Sequence, residues 1–297
     1  MPRPVVAGLD GSRASLAAAD WAAREALRRG RPLRLVHAWE GLPEEHTETS
    51  LPELRAPQVR ARRVLSDTAD RLCERHPRLS VATEQVRMRP GPALLAEAKN
   101  AEFLVIGNQG LGGVGGFLSG SVALAAVAHV ERPVVLVRAD DSAPNEHLPD
   151  SWGEPSDRTP YRDIAVGVDV DAPCDAVLEF AFHAAELRGA SLRAVQAWHV
   201  PYTRGLPGAA ERARVAAEAE RRLTALLAPW REKFPTVFVR QTPYEGRPAH
   251  ALVKAAAGAG LLVVGRRRRR TVGPHTSPVA HALIHHVVCP LALVPHD

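Results

Sequence analysis

The sequence has 297 residues, of which 45% are hydrophobic and 24% are charged, with a formal net charge of +5 at pH 7. This length and apolar content suffice for two domains with buried cores and exclude a disordered chain. No apolar run approaches the roughly 18 to 20 residues that cross a bilayer, so no membrane protein is predicted. The three cysteines fit neither disulfide nor zinc spacing, and arginine dominates the basic residues. Together these features predict a bacterial protein of the reducing cytoplasm.

In chain order, the first half alternates short apolar, β-branched runs with longer segments of helical spacing. The runs predict strands at residues 4–9, 33–39, 79–86, 103–106 and 133–138. The longer segments predict helices at residues 14–29, 57–76, 92–99 and 121–130. This alternation is typical of βαβ units with a parallel sheet. Apolar strands such as residues 103–106 indicate that helices cover both faces.

The second half of the sequence repeats the first. Ala7–Asp10 matches Val166–Asp169 at an offset of 159 residues, and further on Phe103–Gly107 matches Leu261–Gly265. Such self-similarity predicts two homologous domains in tandem.

We place these domains at residues 1–140 and 161–297. Residues 141–160 between them are rich in proline and acidic side chains, which is the composition of a linker. Each domain is predicted to be an α/β fold with a doubly wound, five-stranded parallel sheet of order 3-2-1-4-5, because right-handed crossovers favour that arrangement. The ligand crevice of such a sheet lies at the carboxyl ends of strands 1 and 4.

A glycine-rich stretch, residues 107–120, follows the predicted fourth strand and leads into a helix that opens at Ser121. Glycine at 107, 110 and 120 allows positive φ and leaves out the Cβ that would hold a phosphate away from the backbone. The unpaired N–H groups and positive dipole end of the helix also favour an anion. The stretch therefore predicts a polyphosphate site. The alternative is a flexible connection in which Ser121 only caps the helix.

Asp10 ends the first predicted strand and should face the same crevice. Its carboxylate can accept hydrogen bonds from ribose hydroxyls or from the adenine amino group. The alternative is that Asp10 caps the helix at residues 14–29.

Three motifs together resemble the ATP-binding branch of the universal stress protein family: Asp10, Gly107-x2-Gly110-x9-Gly120-Ser121, and Arg132–Val137. The resemblance covers both repeats. It implies a Rossmann-like, adenine nucleotide alpha hydrolase-like fold that binds ATP, alone or with Mg²⁺. The implied adenosine contacts are Gly8, Leu9, Asp10 and Ala38. The implied ribose and phosphate contacts are Ile106, Gly107, Gln109, Gly110, Gly120, Ser121 and Val122.

Repeat two departs from this motif in its phosphate loop. Gly110 corresponds to Arg268, and the pair Gly120–Ser121 corresponds to Ser277–Pro278. Proline has no amide to donate, and an arginine side chain stands where backbone should meet phosphate. We therefore predict a degenerate second site. The alternative is that side chains of the run Arg266–Arg270 bind the anion.

Other motifs give weaker signals. The run Arg266–Arg270 has no interleaved aromatic residues and no nucleic-acid-binding motif beside it, so we interpret it as a solvated loop. His281 and His285 are four residues apart on a predicted helix, but no third ligand accompanies them, so no metal site is predicted. The sequence shows no readable nucleophile with its base and no acidic pair, so no catalytic residue is assigned.

These patterns predict an ATP-binding universal stress protein that acts as a nucleotide-responsive stress regulator on an unidentified protein partner, without robust catalysis. One alternative is an enzyme of adenylyl transfer or slow ATP hydrolysis. Another is a signalling scaffold that needs no nucleotide. Fold analogy alone does not choose among them.

The last strand of each repeat, Val134–Arg138 and Leu291–Pro295, would lie at an open sheet edge. Unpaired apolar edges promote aggregation. The resemblance implies that the two edges pair with each other as an intramolecular pseudo-dimer, and pairing between two chains as a homodimer is the alternative. Residues 1–140 alone are accordingly predicted to self-associate, and a monomer by analytical ultracentrifugation would contradict edge pairing.

Overall fold

The structure is a computed structural model that describes residues 2–39, 52–108, 119–200, 208–267 and 277–296. The described chain divides into two compact units, the first ending at Ser142 and the second beginning at Ala143.

Unit one alternates strands and helices as the apolar periodicity predicts. Its strands are β1 (Val5–Gly8), β2 (Leu33–Trp39), β3 (Val81–Arg87), β4 (Leu104–Asn108) and β5 (Val134–Arg138). Its helices are α1 (Arg13–Arg29), α2 (Pro52–Arg75), α3 (Pro90–Ala98) and α4 (Ser119–His129).

Unit two repeats this alternation. Its strands are β6 (Ile164–Gly167), β7 (Leu192–Trp198), β8 (Val239–Glu245), β9 (Leu261–Arg267) and β10 (Leu291–His296). Its helices are α5 (Asp175–Arg188), α6 (Ala209–Lys233), α7 (Pro248–Ala256) and α8 (Pro278–His286).

The strand pairings confirm the predicted fold class. In unit one all pairings are parallel and give the order β3-β2-β1-β4-β5. The corresponding order in unit two is β8-β7-β6-β9-β10, also parallel. Each unit is therefore a doubly wound sheet of order 3-2-1-4-5, with the first two helices on one face and the last two on the other.

Aromatic side chains anchor the core on the face covered by the first two helices of each unit. In unit one, Trp21 of α1 meets Phe103 edge to face, with ring centroids 6.4 Å apart. In unit two, Phe182 of α5 stacks on Trp230 and Phe234 at 5.9 and 5.4 Å. Such pairs add to the stabilisation from buried apolar area.

All four helices of unit one begin earlier than predicted: α1 by one residue, α2 by five, and α3 and α4 by two each. Helix α2 begins at Pro52 and not at residue 57, because proline fits the first turn of a helix and the sequence offers both Pro52 and Pro57 as starts. Helix α4 begins at Ser119 and not at Ser121, so Gly120 and Ser121 lie inside its first turn. Either serine suits a helix start by residue type, and the sequence alone does not choose between them.

Much of the predicted linker, residues 141–160, is ordered against unit two. Ala143–Glu146 forms a 3-10 helix, and His147 pairs with Tyr161 in an isolated antiparallel bridge. Glu146 is buried, and its carbonyl accepts the N–H of Arg162 at 2.8 Å. Across the described residues, we find no helix whose length and apolarity would let it cross a membrane.

Candidate functional site

The candidate site of unit one lies where strand order reverses. Strand β1 lies between β2 and β4, and all three run in the same direction. Their carboxyl ends therefore meet at one edge of the sheet, where ligands of doubly wound folds bind. Gly8 ends β1, and Leu9 continues the pairing by donating its N–H to Val36 at 2.7 Å. Asp10 is the first residue beyond the sheet.

The backbone around Asp10 holds one carboxylate oxygen and leaves the other available. Oδ1 accepts the N–H of Ser12 at 2.8 Å, and the Asp10 N–H donates to Ser15 Oγ at 3.3 Å. Within the described part of the chain, no hydrogen bond of ordinary geometry reaches Oδ2, although the Ser12 and Ser15 hydroxyls lie close enough to lower the pKa of the carboxyl, and the residue is exposed. Asp10 thus presents a positioned acceptor at the crevice.

The pKa of Asp10 favours the ionised form. Desolvation, the largest single influence, raises the pKa of this carboxyl. The hydrogen bonds from Ser12 and Ser15 and the charge of nearby His37 outweigh it, so the pKa lies below its ordinary value. Asp10 is therefore a carboxylate at neutral pH.

Helix α1 is capped by Ser12 and not by Asp10, which answers the alternative that Asp10 serves as the cap. Ser12 has extended backbone, and its hydroxyl accepts the N–H of Ser15 at 3.2 Å. This serine cap closes the turn that fixes the Asp10 carboxylate. Sequence analysis missed both serines, although the spacing Ser12-x2-Ser15 directly after a strand-terminal aspartate was visible.

His37 is a second residue that sequence analysis missed. It lies near the end of β2 beside the predicted contact Ala38, and its Nδ1 donates to the Ala38 carbonyl at 3.1 Å. Desolvation lowers the pKa of His37, although the Ala38 carbonyl and the charge of Asp10 act in the opposite direction. A neutral ring that donates through Nδ1 leaves Nε2 as an acceptor. A histidine near the carboxyl end of a mostly apolar strand was the available signal.

The end of β4 forms the other side of the crevice. Ile106 is buried. A Cβ on Gly107 would lie 2.5 Å from the carbonyl carbon of Ala14 and 2.6 Å from the nitrogen of Ser15. Glycine is therefore required at position 107 for packing, which the sequence analysis did not predict. Without a side chain, Gly107 leaves room for the first turn of α1. The φ angle of Gly107 is not positive. The expectation that this glycine adopts positive φ is therefore wrong.

The remaining predicted contacts divide into two groups. Gly120, Ser121 and Val122 lie at the start of α4, whose amino-terminal end faces the crevice edge because the helix runs antiparallel to β4. Gln109 and Gly110 fall outside the described residues. Thus Gly8, Leu9, Asp10, Ala38, Ile106 and Gly107 are brought to one edge of the sheet by their strands.

The equivalent crevice of unit two keeps the aspartate turn and loses much of what surrounds it. Oδ1 of Asp169 accepts the N–H of Asp171 at 3.1 Å, as Asp10 does with Ser12. Helix α5 begins at Asp175, and its cap residue Cys174 makes no side-chain capping bond. Burial, followed by the charges of Asp175 and Asp169, raises the pKa of the Cys174 thiol to about 11. No reactive thiolate is present there at neutral pH.

The start of the last helix in unit two offers few backbone donors. Helix α8 opens with Pro278, which has no N–H, and the Ser277 hydroxyl accepts the N–H of Ala280 at 3.1 Å. In place of His37 this unit has Gln196, a buried side chain whose Oε1 has no hydrogen-bond partner within the described ranges.

Metal ligands do not cluster in the part of the chain that the structure describes, where no group of three or more His, Cys, Asp or Glu side chains could hold an ion. His281 and His285 form a pair with ring centroids 4.6 Å apart.

Taken together, the two sheets and the crevice define a tandem Rossmann-like α/β protein with a carboxylate and a helix amino terminus at the strand-order reversal. The sequence profile of the universal stress protein family matches residues 1–138 and 160–295. The chain therefore belongs to the universal stress protein family.

Individual relatives agree. Universal stress protein Rv2005c of Mycobacterium tuberculosis is 33% identical over 289 residues, covering 95% of this chain and 93% of that protein. A crystal structure of a universal stress protein from Archaeoglobus fulgidus covers 99% of this chain and 98% of its own, with a TM-score of 0.66 at 13% identity, which shows the shared fold. A solved universal stress protein in complex with cAMP is 26% identical, covers 46% of this chain and 98% of its own, and gives a TM-score of 0.40.

Proposed function

We propose that unit one binds an adenine nucleotide, ATP, at the carboxyl ends of β1 and β4, and that the chain acts as a nucleotide-responsive regulator. The observation that carries this proposal is the Asp10 carboxylate, held through Oδ1 with Oδ2 available. An ionised acceptor at a strand-order reversal suits the donor groups of ribose or adenine.

The adenosine would lie against the ends of β1 and β2. Gly8 and Leu9 supply backbone there, and Ala38 adds a small side chain that leaves room for a ring. His37 contributes a further acceptor through Nε2.

The phosphates would lie at the amino terminus of α4. The first amides of an α-helix have no partner within the helix, and the helix dipole favours negative charge there. Gly120 and Ser121 are in that first turn, and the resemblance implies phosphate contacts from Gln109 and Gly110 as well. If Mg²⁺ accompanies the nucleotide, the phosphates supply most of its ligands, since the described residues provide no cluster of their own.

Unit two is proposed not to bind ATP. Pro278 and the capped amide of Ala280 leave fewer donors at the helix start than α4 offers. The chain would therefore carry one nucleotide.

One observation favours an enzyme as the second candidate. His37 lies near the end of β2, the strand that pairs with β1, and desolvation lowers the pKa of its ring. A neutral histidine at this edge has the properties of a general base for slow ATP hydrolysis or adenylyl transfer. Measuring ATP turnover in the wild type and in His37→Gln separates this candidate from a pure binding role. Turnover that His37→Gln abolishes would establish the enzyme.

The test of binding uses the full chain. Mass spectrometry of the denatured, purified protein should release an adenine nucleotide, and calorimetry with ATP should give about one site per chain. Asp10→Asn keeps the Ser12 hydrogen bond and removes the charge, so ATP affinity should fall at least tenfold, in line with the ~1.5 to 3 kcal/mol of a hydrogen bond to a charged group.

Asp169→Asn is the matched control in unit two and should leave ATP affinity unchanged. Two equivalent ATP sites would contradict the degenerate second unit. Failure to bind any adenine nucleotide would overturn the proposal and favour a nucleotide-independent scaffold.

A further inference from the structure

A loop in unit two presents an exposed tryptophan from a fixed base. The base is tied down by His147, whose ring packs against Tyr161 at 4.0 Å and whose Nδ1 donates to the Thr159 carbonyl at 2.5 Å. Beside it, buried Glu146 lies with Oε2 3.6 Å from Nη2 of buried Arg188. The two arms of the loop are therefore held together where they leave unit two.

The tip of the loop is a hydrogen-bonded turn. Oδ1 of Asp150 accepts the N–H groups of Trp152 at 2.8 Å and Glu154 at 2.9 Å. Gly153 has φ of +83° and donates its N–H to the Asp150 carbonyl at 3.1 Å. These bonds fix the turn that displays the Trp152 side chain.

Trp152 is 87% exposed, more than any other large hydrophobic residue in the described part of the chain. A solvent-exposed tryptophan on an ordered turn is suited to bind a partner protein, because tryptophan is enriched among the interface residues that contribute most of the binding energy. The loop around Trp152 carries three acidic residues and one basic residue, Arg158, so its net charge is negative. Glu154 and Asp157 are exposed, and the described chain gives neither of them an ion-pair partner.

Unit one contains a pocket with the complementary character. It lies where α1 and α2 end, has a volume of about 690 Å³, and is lined on its apolar side by Ala26, Leu27, Pro32 and Leu79. The pocket is a depression that is open to solvent on one side, and its volume exceeds that of an indole ring.

Three arginines, Arg31, Arg75 and Arg78, also line this pocket. Arg31 is held by Glu102, with Nε and Oε2 2.5 Å apart, and Arg75 pairs with Asp20. Arg78 is exposed and has no ion pair with the described residues. At the rim of the pocket, Arg31 and Arg75 are held by ion pairs, and Arg78 can pair with an acidic group of a partner. Guanidinium groups also stack favourably on indole rings.

We propose that Trp152 of one chain inserts into the pocket of unit one in a second copy of this chain, with Arg78 facing the acidic residues Glu154 and Asp157. The apolar pocket accepts the indole, and the opposite charges select the orientation. Because the loop belongs to unit two and the pocket to unit one, the contact is head to tail. It can extend into larger assemblies or close into a ring.

The test is complementation between full-length variants. Trp152→Ala removes the anchor and leaves the pocket, whereas Arg78→Glu reverses the rim charge without breaking an ion pair of the described chain. By sedimentation equilibrium, each variant alone should self-associate at least tenfold more weakly than the wild type. An equimolar mixture should regain wild-type affinity as a one-to-one dimer that does not extend, because only one loop and one pocket remain competent.

Phe238→Ala serves as the matched control, because Phe238 is another exposed aromatic residue, at 66% exposure, outside the loop. It should associate like the wild type. The proposal is overturned if Trp152→Ala associates as strongly as the wild type or if the wild type stays monomeric. A mixture that shows no recovery also overturns it. Concentration-independent shielding of Trp152 from an aqueous quencher would assign the loop to its own chain and equally overturn the second-copy contact.

Discussion

The two units share one fold and differ at one edge of it. Helices α1 and α5 end alike, at Gly30 and Gly189 with left-handed backbone, and both glycines donate to carbonyls of the last turn. At the other end α1 has 17 residues and α5 has 14, so α5 lacks most of the turn that would approach the crevice. The comparison shows that the two units share the sheet and the glycine caps at the carboxyl ends of α1 and α5. They differ in the loops that follow the carboxyl ends of the strands.

The divergence follows a chemical pattern. Unit one places Ser12, Ser15 and His37 around its aspartate, and unit two has Asp171, Cys174 and Gln196 at the same positions. The added carboxylate of Asp171 forms an ion pair with Arg222, so it serves the surface of unit two. Cys174 makes no side-chain capping bond, unlike the serine cap of unit one, and a buried glutamine amide on β7 stands where unit one has the His37 ring.

The largest expected effect comes from giving unit one the phosphate-side residues of unit two. Gly110→Arg copies Arg268, and Ser121→Pro copies Pro278. Proline in the first turn leaves the helix intact but removes one amide. Loss of one or two charge-assisted hydrogen bonds, about 1.5 to 3 kcal/mol each, should weaken ATP binding at least tenfold, measured by calorimetry. Unchanged affinity in a folded Gly110→Arg chain would refute this site.

A smaller effect is expected when alanine replaces the glycine near the end of the fourth strand in each unit, Gly107 in β4 and Gly265 in β9. A Cβ at Gly107 meets the Ala14 backbone at 2.5 Å, whereas a Cβ at Gly265 meets the ring of His296 at 2.8 Å. A side-chain ring can move more easily than helix backbone. Gly107→Ala should therefore lower the free energy of unfolding of unit one by about 1 to 3 kcal/mol, and Gly265→Ala should cost less. Denaturant unfolding followed by hydrogen exchange in each unit measures both values, and equal costs would contradict the packing argument.

The Ser12 cap should contribute about 1 kcal/mol to the stability of unit one, the typical loss when a capping serine becomes alanine. Ser12→Ala removes the acceptor for the Ser15 N–H. Asp171→Ala, the variant at the matching position of unit two, removes only an exposed ion pair and should cost less. Thermal unfolding of both variants tests the ranking, and a larger loss in Asp171→Ala would reverse it.

The smallest expected effect is a pH dependence that originates in unit one. The pKa of Asp10 is lower in the folded chain than its ordinary value of 3.8. The ionised carboxylate therefore stabilises the fold fully above about pH 4, and this contribution disappears as the pH falls through the lowered pKa. The difference in unfolding free energy between the wild type and Asp10→Asn should become smaller as the pH falls through this range. A difference that grows on acidification would contradict the hydrogen-bond network.

The sequence was sufficient for the fold because apolar runs and helical spacing report burial, and burial defines each sheet. It also predicted that Asp10 follows the first strand directly, and the structure has Asp10 there, whereas a role of Asp10 in nucleotide binding stays a prediction. It did not reveal Ser12, Ser15 or His37 as neighbours of Asp10, because their roles depend on how tightly the turn after β1 closes. It misjudged Gly107, because helix-to-strand contact distances are not written in local composition.

The glycine at the end of the fourth strand bears on how tandem chains of this kind are compared. Unit two retains Gly265 although Pro278 and Arg268 have replaced the proposed phosphate-binding residues, and the His296 ring occupies the space that a side chain there would need. These packing contacts account for a glycine at this position whether or not the unit binds a ligand. Counting glycines at this position would thus overestimate the number of nucleotide sites in a duplicated protein. The residue in the first turn of the next helix, Ser121 or Pro278 in this chain, is the better indicator of whether a repeat can bind phosphate.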